Sequence, residues 1–135
     1  MAHILIIDDE ADVRDSMQLI LLAAGHSVRT AEHGPAGIVA CREQPADVVI
    51  TDIIMPKGHG FEAIEQIRSE FPACRIIAIS GGGNFSPVAY EPHAITTTAY
   101  LAAALRFGAH AIMTKPFDSA RLIETVDKVV AGTAT

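Results

Sequence analysis

Six side chains, far apart in the chain, have the types that phosphoryl chemistry uses: Asp8, Asp9, Glu10, Asp52, Ser80 and Lys115. Each follows a short apolar run. ILII precedes Asp8-Asp9-Glu10, VVIT precedes Asp52, IIAI precedes Ser80, and AIM precedes Thr114-Lys115-Pro116. A carboxylate at the end of a buried run is costly unless a cation lies near it or it has chemistry to do. Crowded carboxylates repel one another, and a hard divalent cation relieves the repulsion. Mg²⁺ suits an all-oxygen set and keeps water and phosphate oxygens in its shell. Lys115 adds a positive point charge and Ser80 a small hydroxyl. Around Asp52, such groups are what a transferring phosphoryl needs, and the carboxylate itself can be the nucleophile. Taken singly, each has a plainer reading. An Asp pair after a strand is often a turn or a helix cap, and Lys-Pro is often a loop. Their order, each at the end of an apolar run, is what argues for a site.

The elements that must position these groups follow from the pattern. Strands are predicted at Ile4–Ile7, His26–Thr30, Val48–Thr51, Ile76–Ile79 and Ala111–Met113. Helices are predicted at Ser16–Ala24, Pro35–Glu43, Phe61–Phe71, Ala94–Phe107 and Ser119–Val130, with Gly25, Pro45, Pro72 and Gly108 as stops. Strict alternation with apolar strands implies an α/β fold, a doubly wound five-stranded parallel sheet covered on both faces. Ligands in such folds gather at the carboxyl ends of the strands. The chemistry-bearing residues belong there.

Composition narrows the function. The chain has 135 residues, half of them apolar, with a mean hydropathy of +0.31. That size implies a single domain over 1–135. No apolar run is long enough to span a membrane, and MAHILII lacks the features of a signal peptide, so a cytoplasmic protein is expected. The net charge of −6 argues against direct nucleic-acid binding. Cys41 and Cys74 are isolated and read as packing residues. The six histidines (3, 26, 33, 59, 93 and 110) have no ligand spacing and read as surface or packing residues; His59 lies nearest Asp52 in sequence.

The segments ILIIDDE (4–10), VVITDIIMPKGHGFE (48–62), IIAISG (76–81) and GAHAIMTKPF (108–117) closely resemble the receiver domains of two-component response regulators, across the whole chain and in order. The resemblance implies a CheY-like, flavodoxin-like (βα)5 fold. It implies that Asp52 is phosphorylated, with Mg²⁺ held directly by Asp9, by Asp52 and by the carbonyl of Ile54, and by Asp8 mainly through water. Ser80 and Lys115 would each hold a phosphoryl oxygen, and the Lys115–Pro116 bond would be cis. The partner would be a histidine kinase or a histidine phosphotransfer protein, with an unknown protein downstream. The chain would catalyse only its own phosphorylation and dephosphorylation, as a monomer or a weak phosphorylation-dependent dimer. The alternative is a pseudo-receiver that binds partners without phosphorylation, but such domains usually lose an acidic residue or the lysine.

Three departures from the family stand out. Ile112 occupies the place of a rotating switch aromatic. The interval from Ser80 to Lys115 is longer than usual, the surplus falling within GGGNFSPVAYEPHAITTTAY; a segment of this length is functional or disordered, and 81–98 is expected to become ordered on phosphorylation through Ser80. No output domain follows the last helix, which fits a stand-alone receiver or a trimmed chain. Ile54 and Gly82 stand at positions where the family tunes water access; the bulky, apolar Ile54 suggests slow phosphate loss, which Gly82 weakly opposes by leaving room. A haloacid-dehalogenase-type phosphatase would need Asp-x-Asp after the first strand, and a flavodoxin would need a hydroxyl- and glycine-rich loop in place of DDEAD.

Overall fold

The computed structural model describes residues 1–53, 60–80, 102–115 and 117–132. The strands are β1 (His3–Ile7), β2 (Ser27–Ala31), β3 (Val48–Asp52), β4 (Arg75–Ser80) and β5 (Ala111–Thr114). The helices are α1 (Ala11–Ala23), α2 (Gly34–Glu43), α3 (Gly60–Glu70), α4 (102–107) and α5 (Ser119–Ala131). The sheet is parallel throughout, in the order β2-β1-β3-β4-β5. This is the doubly wound fold expected from the alternation.

Side-chain alternation along each strand builds two cores. Ile4, Ile6, Val48, Ile50, Ile77 and Ile79 face one way, onto Met17 and Leu21 of α1 and Leu122, Val126 and Val129 of α5. Leu5, Ile7, Val49, Ile76 and Ala78 face the other, onto α2, α3 and Ala104 of α4. Cys41 and Cys74 are buried in this second core. Burial pushes both thiols up, that of Cys74 to about 12, which matches a packing role. α2 lies close against β1 because Gly37 has no side chain; a Cβ there would collide with Ile7 Cδ1.

The helix ends follow local chemistry. His33 Nδ1 accepts the Ala36 N–H at 3.1 Å, and Pro35 sits in the first turn of α2. Asp118 Oδ1 accepts the Arg121 N–H at 2.8 Å, and Gly132, at φ 77°, closes α5 in the left-handed region. α1 departs from expectation by starting at Ala11 rather than Ser16. Its inner face, Val13, Met17, Ile20 and Leu21, has helical spacing, but the charges of ADVRD obscure its first turn. The earlier start sets α1 directly after the acidic triplet.

Several sequence expectations lie outside the described residues: the Ile54 carbonyl, His59, Gly82 and the segment 81–98, His93, the Lys115–Pro116 bond, and residues 94–101 of the fourth helix.

Candidate phosphoacceptor and metal site

Register alone brings the site together. β1 pairs with β3 so that Ile7 faces Thr51, which puts Asp8 beside Asp52 one step on. β3 pairs with β4 so that Asp52 faces Ile79, next to Ser80. β4 pairs with β5 so that Ser80 faces Thr114, next to Lys115. The pairing continues past the last rung, since the Lys115 N–H donates to the Ser80 carbonyl at 2.7 Å. Five sequence-predicted residues (Asp8, Asp9, Asp52, Ser80 and Lys115) therefore share one rim.

Their surroundings differ. Asp8 is fully buried, Asp52 is 5% exposed and Asp9 is exposed. Carboxylate oxygens of Asp8, Asp9 and Asp52 all lie within 4.8 Å of one another. A compact set of hard oxygens fits Mg²⁺. Lys115 Nζ donates to Asp52 Oδ2 at 2.8 Å and to Asp8 Oδ2 at 3.1 Å. Burial by itself would lower the proton affinity of Lys115. The hydrogen bond and charge of Asp52, then those of Asp8, more than reverse this and hold the ammonium above the ordinary lysine range.

Ser80 is fully buried, and its hydroxyl has no hydrogen-bond partner among the described residues. An unpaired buried hydroxyl costs about 1–3 kcal/mol. Such a group, next to the strand partner of Asp52, suits a donor whose partner would arrive with a ligand. Ile112 is half-buried and packs against the core on the α2–α3 side.

Sequence reasoning left two contributors without a role. Arg14 Nη1 donates to the Asp8 carbonyl at 2.7 Å, and Glu10 Oε1 lies 3.5 Å from Lys115 Nζ. Arg14 sits in the part of α1 that periodicity did not reach. Glu10 stood in the acidic triplet, but nothing local indicates which way its side chain turns.

With this geometry in place, comparison with known proteins is direct. Residues 4–127 match the response regulator receiver domain, and the chain belongs to that family. It is 32% identical to the protein PilH of Pseudomonas aeruginosa over 134 residues, covering 98% of this chain and all of PilH. It is 33% identical to the chemotaxis protein CheY of Bacillus subtilis, covering 96% of this chain and 99% of that one. The crystal structure of the receiver domain of NtrX from Brucella abortus superposes with a TM-score of 0.79 at 30% identity, covering 95% of this chain and 98% of that one. Other relatives are much longer: the chain spans 27% of the transcriptional regulatory protein GlrR of Escherichia coli.

Proposed function

We propose that Asp52 accepts a phosphoryl group from a histidine kinase or a histidine phosphotransfer protein. An Asp52 carboxylate oxygen attacks phosphorus, the P–N bond to the donor imidazole breaks, and the imidazole leaves with the electron pair and takes up a proton. The product is an acyl phosphate, later cleaved by water. The observation that carries this reading is the approach of Lys115 Nζ to 2.8 Å from Asp52 Oδ2, beside the three-carboxylate oxygen set. Asp8, Asp9 and Asp52 would hold Mg²⁺, which supplies positive charge to the phosphoryl oxygens. Lys115 pairs with one phosphoryl oxygen, and the Ser80 hydroxyl donates to another.

A groove of about 330 Å³ lined by Val13, Met17 and Ile20 of α1 and by Phe117 would receive the donor. Lys115 lines both groove and site. The phosphorylated state changes partner binding through the segment after Ser80 and the face of α4. On this reading the chain acts on itself rather than turning over a separate substrate, and it works in the cytoplasm; no helix among the described residues is long and apolar enough to cross a membrane.

Acetyl phosphate with and without Mg²⁺, followed by intact mass, tests the proposal. One phosphoryl group is expected on the wild type only with Mg²⁺, and none on Asp52→Asn. An undiminished acyl phosphate in Asp52→Asn sinks the assignment.

A further inference from the structure

Lys115 and a divalent cation need the same oxygens. Its ammonium is bonded to Asp52 and Asp8, and both belong to the carboxylate set that could hold a metal. In this structure the ammonium offsets part of the negative charge of that set. When Asp8 and Asp52 turn to a dication, Lys115 loses two partners and meets a like charge. A side chain 11% exposed has little water to fall back on. It needs another carboxylate close by.

Glu10 provides one. Its Oε1 lies 3.5 Å from Lys115 Nζ, and it stands outside the three-carboxylate set. Its backbone N–H donates to Asp8 Oδ1 at 2.9 Å, which ties its main chain to the site. Its side chain is a third exposed.

We propose that Glu10 is a positioning residue for Lys115, taking over the ammonium when Asp8 and Asp52 bind the divalent cation and keeping it within reach of the phosphoryl group. The inference rests on the Mg²⁺ site proposed above and not on phosphorylation of Asp52. Without Glu10, cation binding strands Lys115, so metal affinity carries the signature even with no phosphate present.

Calorimetric Mg²⁺ titration of the unphosphorylated chain tests this in a double-mutant cycle. Lys115→Met removes the competing ammonium and is expected to tighten Mg²⁺ binding. Glu10→Gln is expected to weaken it about two- to fivefold, the range of a single partly exposed ion pair. In the Lys115→Met background that loss should disappear, because no ammonium needs a new partner. Glu10→Asp keeps the charge, shortens the reach, and needs no change at Lys115; it is expected to bind more weakly than wild type. An undiminished Glu10→Gln loss in the Lys115→Met background, or wild-type affinity in Glu10→Asp, overturns the positioning role and leaves only a through-space charge. Absence of Mg²⁺ binding by the wild type overturns the metal site and the positioning role together.

Discussion

The two ends of the sheet use polar side chains in opposite ways. At the amino ends of the strands, side chains complete the backbone. Asp47 Oδ2 accepts the His3 N–H at 2.8 Å, His26 Nδ1 accepts the Ala2 N–H at 3.0 Å, and His110 Nδ1 accepts the Ile76 N–H at 3.0 Å. At the carboxyl ends, Lys115 bonds to Asp8 and Asp52, and the Ser80 hydroxyl has no partner among the described residues. His3 Nε2 is the matching unpaired atom at the amino end, but its ring is already held by Ser27 Oγ at 2.6 Å through Nδ1. The amino-end groups stabilise a fold, whereas the carboxyl-end groups tolerate crowding and an unmet donor. Buried polar groups are ordinarily satisfied; among the described residues the Ser80 hydroxyl, unlike the His3 ring, makes no side-chain bond at all, and it lies at the end that carries the candidate site.

Metal binding should separate the two ends most widely. Asp9→Ala is expected to weaken Mg²⁺ binding more than Asp8→Ala. The exposed Asp9 can meet the ion directly, while both Asp8 oxygens are already engaged by Lys115 and the Glu10 N–H. Loss of a group that acts through another costs about 10–100-fold, and that is the range expected for Asp8→Ala. Calorimetry giving equal or reversed losses would reject the division of roles.

His110→Ala should be costly in stability and silent in chemistry. It strands the buried Ile76 N–H, a loss of about 1–3 kcal/mol, while Mg²⁺ affinity and acetyl-phosphate labelling stay at wild-type levels. Urea melts and labelling on the same sample check both halves; a labelling defect at native stability would join the two ends functionally.

A smaller effect is expected from pH. Burial, then the Arg68 and Arg75 guanidinium groups, hold the His110 pKa below its ordinary value. The Nδ1 acceptor role also requires a neutral ring. The unfolded chain therefore binds this proton more readily than the folded one. The stability contribution is whole above the unfolded value of about 6.5 and is lost as pH falls from there through the lowered folded value. Melts across this range should show stability falling with acid in the wild type, with a shallower slope in His110→Ala. Equal slopes would contradict the assignment.

Ser80→Ala should have the smallest effect on the unphosphorylated fold. Deleting an unpaired hydroxyl is expected to be neutral or to stabilise by up to about 1 kcal/mol. The same variant should lose the phosphate-dependent response, read as the difference in hydrogen exchange with and without beryllofluoride. A clear loss of stability would mean that the hydroxyl is satisfied after all.

Much of this molecule could be read from the linear chain. Apolar runs such as ILII and VVIT mark strands buried on both faces, and their alternation with amphipathic stretches implies the parallel sheet. A residue that directly follows a buried strand must emerge at its carboxyl end, so Asp8, Asp52, Ser80 and Lys115 could be assigned to one rim before any coordinates. Periodicity reports burial, and burial is local. Partner choice is not. Whether Lys115 reaches Asp8 and Glu10 as well as Asp52 depends on the register of four strands. Whether His26 and His110 are surface groups or backbone acceptors depends on chain ends more than twenty residues apart in sequence meeting in space. The start of α1 also needed tertiary structure, because only packing on the sheet reveals Val13 as the first residue of its inner face. The strand ends therefore determined which chemical groups the site contains, and the folded register decided which carboxylate holds the lysine.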